Sequence, residues 1–370
     1  MLIFELTAQS LADALILVSR AVAMRDQVPA MTGVLLRAAQ GEVELTATDG
    51  ELAMRVAVPA AVEAEGGVLV PARTFADLLR LVPPDTSVQF RGLDGQVGIR
   101  FLRSRFDLPT LRAEEFPPLD FASQAEPFKV RGDALKELVR KTSYAVSARD
   151  DGRLFTIGMF LALREGYLSA ATTDNHRLAW ARVPVTSEAP DQEILLPARA
   201  FSEIVRALPD DDIEVRFEQG RFLARTPGGL STFLTAIRAQ FPDTRRVVFD
   251  SYTTTVRFDL GTVLAAVERT QLVADQKNAR IRLRVEENIV RIAASSSEGG
   301  QGAEEVAVET SGEPVELVFG PKYLVDGLRS LPDGPAVLDV MHAESPARFR
   351  PDVERRDQFA IVMPLRQTES

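Results

Sequence analysis

Apolar and polar positions alternate with a period of two through most of this chain, and the alternation gives way at intervals to a helical period. Val43, Leu45 and Ala47 alternate with polar residues, Asp49-Gly50 follows, and Leu52, Met54, Val56 and Val58 alternate again. That pattern predicts a β-hairpin, because Asp-Gly tolerates the positive φ of a tight turn. Phe75, Leu78, Leu79 and Val82 fall instead at i, i+3, i+4 and i+7, which predicts a helix with one apolar face.

The same patterns return twice. Val68-Leu69-Val70-Pro71-Ala72-Arg73-Thr74-Phe75 recurs as Ile194-Leu195-Leu196-Pro197-Ala198-Arg199-Ala200-Phe201, and again as Leu317-Val318-Phe319-Gly320-Pro321-Lys322-Tyr323-Leu324. Thr48-Asp49-Gly50-Glu51-Leu52-Ala53 recurs, one residue longer, as Thr173-Asp174-Asn175-His176-Arg177-Leu178-Ala179. Phe106-Asp107-Leu108-Pro109 through Phe116-Pro117 matches Phe233 through Phe241-Pro242, and Phe359 through Pro364 is a third version. Amphipathic helices are expected over 11–24, 133–147 and 260–274, one opening each copy. Repeats of about 125 residues are domain-sized. The chain therefore divides into 1–122, 123–248 and 249–370, each an α+β domain of two helices packed on about eight short antiparallel strands.

Charge bears on what such a molecule could bind. The 370 residues carry a formal net charge of -10, which argues against nucleic acid unless positive charge is concentrated somewhere. It is concentrated on the second helix of each repeat. Arg73 and Arg80 project away from the apolar face, as do Arg199 and Arg206, then Lys322 and Arg329. Asp77, Glu203 and Asp326 repeat on the same face and partly neutralise it. The first helices add Arg25, Lys136, Arg140, Lys141 and Arg149. On one helix this would be an ordinary solvated face. Threefold recurrence on an acidic chain points to a polyanion held along one axis, with an acidic exterior that discourages adsorption elsewhere. No aromatic interleaving or recognition helix accompanies the charge, so the expected contacts are to phosphate and independent of base sequence.

Taken in order, Val70-Pro71-Ala72-Arg73, Arg105-Phe106-Asp107-Leu108, Thr173 to Ala179, Phe241-Pro242-Asp243 with Arg246-Val247, and Val362-Met363-Pro364-Leu365-Arg366 resemble the bacterial DNA polymerase III beta subunit family, the sliding clamps. The resemblance covers essentially the whole chain. It implies three tandem clamp domains and a head-to-tail homodimer forming a six-domain ring around double-stranded DNA. It further implies an ATP-driven clamp loader, and tethering of the polymerase III alpha subunit and other clamp-binding polymerases and repair proteins. A partner-peptide pocket follows from it at Arg153, Thr173, His176, Arg177, Leu178, Pro242, Arg246, Val247, Ile361, Val362, Met363, Pro364, Leu365 and Arg366, an apolar bowl with a basic rim. The plain alternative is that Val247, Val362 and Met363 are strand core. For the dimer seam it points to Phe106 and Leu108 meeting Leu272 and Val273 of the partner, although the i, i+2 spacing of Phe106 and Leu108 also suits a core strand. Asn175 stands where the family often has glycine; asparagine tolerates positive φ, so the turn is expected to form. The tail Gln367-Thr368-Glu369-Ser370 is expected to fray and to cover part of the pocket rim.

Two other classes compete with this reading. A carboxylate-dependent nuclease or hydrolase could use Asp49, Asp174, Asp150-Asp151 or Asp210-Asp211-Asp212, but metal-assisted chemistry needs carboxylates converging on metals about 4 Å apart, and Asp49 and Asp174 belong to different repeats. A scaffold without a DNA hole is the second. Without cysteines, and with His176 and His342 far apart, no metal or cofactor is expected. The N-terminus opens into a strand and no long apolar run occurs, so no membrane partner and a cytoplasmic location are expected.

Overall fold

The computed structural model describes residues 2–24, 28–93, 95–149, 152–218, 220–244, 247–274, 279–353 and 357–366. One element order occurs three times: strand, helix, five strands, helix, three strands. The helices are α1 (Ala8–Val18), α2 (Ala72–Leu79), α3 (Gly132–Thr142), α4 (Ala198–Ala207), α5 (Leu260–Thr270) and α6 (Pro321–Arg329). The first helix of the chain starts earlier than the spacing suggested, because the Thr7 side chain caps it by accepting from the Ser10 amide. It also stops earlier, tightening into a 3-10 turn over Ser19–Ala21. Each repeat has nine strands where about eight were expected. The additional one is short: Ala61–Ala64, Thr186–Ser187 or Glu309–Gly312. It follows the fourth strand closely in sequence, yet it pairs in the other sheet of its repeat, with Leu2–Thr7, Phe128–Arg131 or Thr254–Asp259.

All ladders are antiparallel, and they do not stop at the repeat boundaries. In one nine-stranded sheet the fourth strand of the first repeat, Leu52–Pro59, pairs with the last strand of the second, Ser231–Thr235, with Leu52 opposite Leu234. In the other, the fourth strand of the second repeat, Arg177–Pro184, pairs with the last strand of the third, Gln358–Val362, with Leu178 opposite Ile361 and Trp180 opposite Phe359. A five-stranded sheet ends on Ser104–Pro109 and a four-stranded sheet ends on Gln301–Ala307. The three repeats are grouped by these joints into two compact units. One comprises 1–133, 186–190 and 199–236; the other comprises 134–185, 191–198 and 237–370. The second repeat contributes one sheet to each, since the backbone bonds of each joint hold that sheet to its neighbour.

Within the first unit, Phe75 of α2 meets Phe90 edge-on at 5.6 Å and Phe90 stacks on Phe4 at 4.7 Å; Phe201 of α4 meets Phe222 in the same manner at 5.2 Å. Each such buried ring contributes about 1.5–3 kcal/mol. In the second unit the third repeat closes around Phe319, Leu324, Leu328 and Phe349, all almost fully buried. Its sheet carries Ile361 and Val362 on opposite faces, and only Val362 points into that core. The segment leaving the second repeat lies across a face of that repeat's other sheet, the one carrying Gly158–Arg164 and Gln192–Pro197. Ile237 donates its amide to the Leu195 carbonyl, and Phe241 packs on Ala171, Leu195 and Phe160.

Candidate functional site

The hairpin at 173–178 organises the second unit's site. Asn175 sits at φ +72°, where its counterpart in the first repeat is Gly50 at +94°, so the turn forms without glycine. Thr173 Oγ1 donates to the Arg177 carbonyl at 2.6 Å. Asp174 Oδ1 accepts from the amides of His176 and Arg177, at 3.0 and 3.1 Å. Asp49 does the same for Glu51 and Leu52 at 3.0 and 2.8 Å. These two carboxylates, the first candidates for metal chemistry, are held as caps of their own turns. Asp150 and Asp151 lie outside the described residues.

Arg177 departs from the role expected of it. It is 5% exposed, with Nε on Asp174 at 2.9 Å and Nη1 on Asp326 of α6 at 2.6 Å. Its guanidinium carbon lies 4.9 Å from the Tyr323 ring centre and 5.5 Å from that of Tyr144. A guanidinium so enclosed is a brace joining second and third repeats, and not a rim charge offered to a ligand. Burial pushes the Tyr144 hydroxyl up to about 12, leaving a neutral ring beneath the cation. Burial also raises Tyr323, with Asp174 adding to the effect.

Around that brace an apolar surface is assembled. Leu178 and Ile361 face each other across the joint. The exposed ring of His176 stacks on Tyr323 at 5.6 Å. Met363 donates its amide to the His176 carbonyl at 2.8 Å, and Leu365 donates to Val318 at 2.7 Å. Met363, Pro364 and Leu365 are half-buried and Arg366 is exposed. Arg153 and Pro242 are exposed and Val247 half-buried. The turns carrying Arg153 and Pro242 adjoin through Phe155, which meets Phe241 edge-on at 6.4 Å. Val362 belongs to the third repeat's core instead of the bowl, because the alternation at 361–362 turns it inward. Arg246 and the tail 367–370 lie outside the described residues. Two residues escaped the sequence reading. Leu154 is an apolar side chain 43% exposed beside Arg153. Tyr323 replaces the small Thr74 and Ala200 of the other repeats, and that departure from the repeat was its only signal.

On the second helices, Arg73, Arg80, Arg199, Arg206, Lys322 and Arg329 are all exposed, while Phe75, Leu79, Phe201, Ile204, Val205, Leu324 and Leu328 are buried. Nearby acids temper the charge: Arg80 lies 3.5 Å from Asp77, Lys322 3.3 Å from Asp326 and Arg329 2.8 Å from Glu268. Glu203 bridges Arg206 and Arg20, tying α4 to the turn after α1 in the first unit. On α3, Arg140 and Lys141 both hold Glu137, and the Arg140 hydrogen bond lowers that carboxyl to about 2. Arg149 is exposed; Arg25 lies outside the described residues.

The dimer-seam residues are surface residues. Phe106 is 40% exposed on the terminal strand Ser104–Pro109, stacked on Phe101, and Leu108 is half-buried beside it. Leu272 is 81% exposed, and Val273 packs against Gly302 of the other terminal strand.

Three repeats joined through continuous sheets thus carry exposed basic residues on their second helices and an apolar surface at the second joint. Three family models match in succession: the N-terminal domain of the DNA polymerase III beta subunit at residues 2–120, the central domain at 129–243 and the C-terminal domain at 245–366. The chain is 30% identical over 359 residues to a beta sliding clamp of Synechococcus elongatus, covering 94% of this chain and 95% of that one. It is 29% identical over 367 residues to a beta sliding clamp of Pseudomonas aeruginosa, covering 98% and 99%. Crystal structures of the DNA polymerase III subunit beta from Pseudomonas aeruginosa match with TM-scores of 0.93, and 0.90 for a clamp bound to griselimycin; each is 27% identical, with 99% of this chain and 100% of that chain covered. The chain belongs to the DNA polymerase III beta subunit family, the beta sliding clamps.

Proposed function

We propose that the chain is one half of a closed ring: a non-catalytic processivity factor that dimerises head to tail, encircles duplex DNA and tethers partners through the bowl at the second joint. The carrying observation is the unfinished series of joints. Twice within the chain a fourth strand takes on the last strand of the next repeat. The fourth strand of the third repeat, Gln301–Ala307, and the last strand of the first, Ser104–Pro109, each end a sheet. An exposed ladder edge is an invitation to pair. A second copy supplies the missing strand at both ends, and a head-to-tail contact that closes yields a ring. Charge supports the match: Glu304 and Glu305 lie on one terminal strand and Arg105 on the other, in exposed pairs with Arg269, Arg291 and Asp107 that are free to exchange. The matched ranges support dividing the repeats near 122 and 248.

Double-stranded DNA then occupies the hole without base readout. The exposed ion pairs of the second helices are each worth about 0–1 kcal/mol, so their arginines exchange readily onto phosphates and off again. Retention comes from topology, which permits sliding. A clamp loader driven by ATP must open the ring, and the site of action is the cytoplasm. The polymerase III alpha subunit, other polymerases and repair proteins dock in the bowl, where tethering keeps them at high effective concentration. Met363 and Leu365 are adaptable fillers suited to varied peptides.

Truncation after Val362 tests the tether. The cut begins at Met363, since Val362 is core. The shortened clamp is expected to remain dimeric yet leave polymerase processivity at its clamp-free level. Stimulation equal to that of the full chain would remove the bowl from the proposal.

A further inference from the structure

A cavity of 540 Å³ lies in the second repeat, next to the bowl. Four aromatic residues, Phe160, Tyr167, Trp180 and Phe241, share its lining with charged and polar side chains. Trp180 stacks on Phe359 at 5.1 Å across the joint, and Phe160 stacks on Phe241 at 5.1 Å. Pro242 lines the cavity and also belongs to the bowl set. Leu178 and Trp180 rise from one face of one strand, two residues or about 7 Å apart. The cavity therefore continues the bowl by a single side-chain step.

Its charge decides what it can accept. The two guanidiniums at its wall are already held, Arg164 by Glu193 and Arg182 by Asp357, each at 2.7 Å. The Arg182 guanidinium also covers the Tyr167 ring at 4.3 Å and lies 6.0 Å from the Trp180 ring centre, so the Glu165 carboxylate is the group here that a further cation would answer. Glu165 is exposed on the rim, in a turn at φ +51°, and makes no ion pair among the described residues. An exposed carboxylate without an ion pair, at the mouth of a cavity with aromatic edges, favours a cationic side chain whose stem packs on those edges.

We propose that this cavity is a subsite for a lysine or arginine flanking the apolar anchor of a docking peptide, two residues along the extended chain. The assignment rests on the bowl binding peptides. Two of its residues set the preference: Glu165 by charge and Trp180 by its ring.

Two probes serve, acetyl-Arg-Ala-Leu-Ala-Leu-Ala-Arg-amide and the same peptide with glutamine for both arginines; arginine at both ends makes the strand direction immaterial. Trp180 is the single tryptophan, so all tryptophan emission comes from the wall of this cavity, and the glutamine peptide serves as the reference for filling of the bowl. The arginine peptide is expected to bind about fivefold tighter than the glutamine peptide and to shift the Trp180 emission. Glu165→Gln, a surface change, is expected to remove most of that preference. Griselimycin is titrated in parallel as a probe of the bowl, and Glu165→Gln is expected to leave its affinity unchanged. Equal affinity of the two peptides, with griselimycin bound, would overturn the subsite and leave the bowl standing. No binding of griselimycin or either peptide would overturn both. Arginine preference that survives Glu165→Gln would overturn the assignment to this cavity.

Discussion

Replacing Arg177 with methionine is expected to cost the second unit about 3 kcal/mol of stability, the low end for breaking a buried ion pair. The reason is what stays behind. Asp174 and Asp326 would keep their places, 12% and 26% exposed at the side chain, with Asp174 left unpaired and Asp326 left with only the exposed Lys322. Asp174 would still cap its turn, but α6 would lose its bond to the second repeat, and Tyr323 its cation. Arg177→Lys should lose less, about 1–2 kcal/mol, because a lysine supplies the charge without the fork that reaches two carboxylates at once. Denaturant melts of wild type and both variants measure the series, and partner-peptide affinity should fall in the same order as the bowl loosens. A methionine variant within about 0.5 kcal/mol of wild type, the range of neutral surface changes, would show that the brace is idle.

The other large effect falls on assembly. Phe106→Asp combined with Leu272→Asp is expected to weaken the dimer by at least about a thousandfold. Burying each of these side chains should contribute about 1.5–3 kcal/mol at every seam, and 1.4 kcal/mol is tenfold in affinity. Both residues are exposed within the chain, so the fold itself should keep its melting temperature. Sedimentation at micromolar concentration is expected to give a dimer for wild type and a monomer for the variant. A variant dimer of undiminished affinity would place the seam elsewhere.

Much of the architecture was legible because the repeats confirm one another. The buried face of α2 and α4, the outward arginines, the Asp49-Gly50 hairpin and the tolerance of Asn175 for positive φ are local matters of period and turn chemistry. Four features were not legible, and each depends on a partner distant in the chain. The short strand Ala61–Ala64 is separated from Leu52–Pro59 by which sheet receives it, which alternation cannot report. Arg177 reads as a surface cation until Asp326 is placed beside it. Ile361 and Val362 are equivalent as apolar letters, and only the register with Arg177–Pro184 decides which enters the core. Tyr323 acquires meaning from His176 stacked on it.

If two such chains do close a hoop on duplex DNA, their hold is mechanical and owes little to individual phosphate contacts. The most direct measurement loads the wild-type protein onto a nicked circular duplex, raises salt until charge contacts are screened, and compares gel-filtration retention before and after one restriction cut. Protein that stays on the circle and runs off the linear product is the expected result. Equal retention on both forms, or none on the circle, would contradict it.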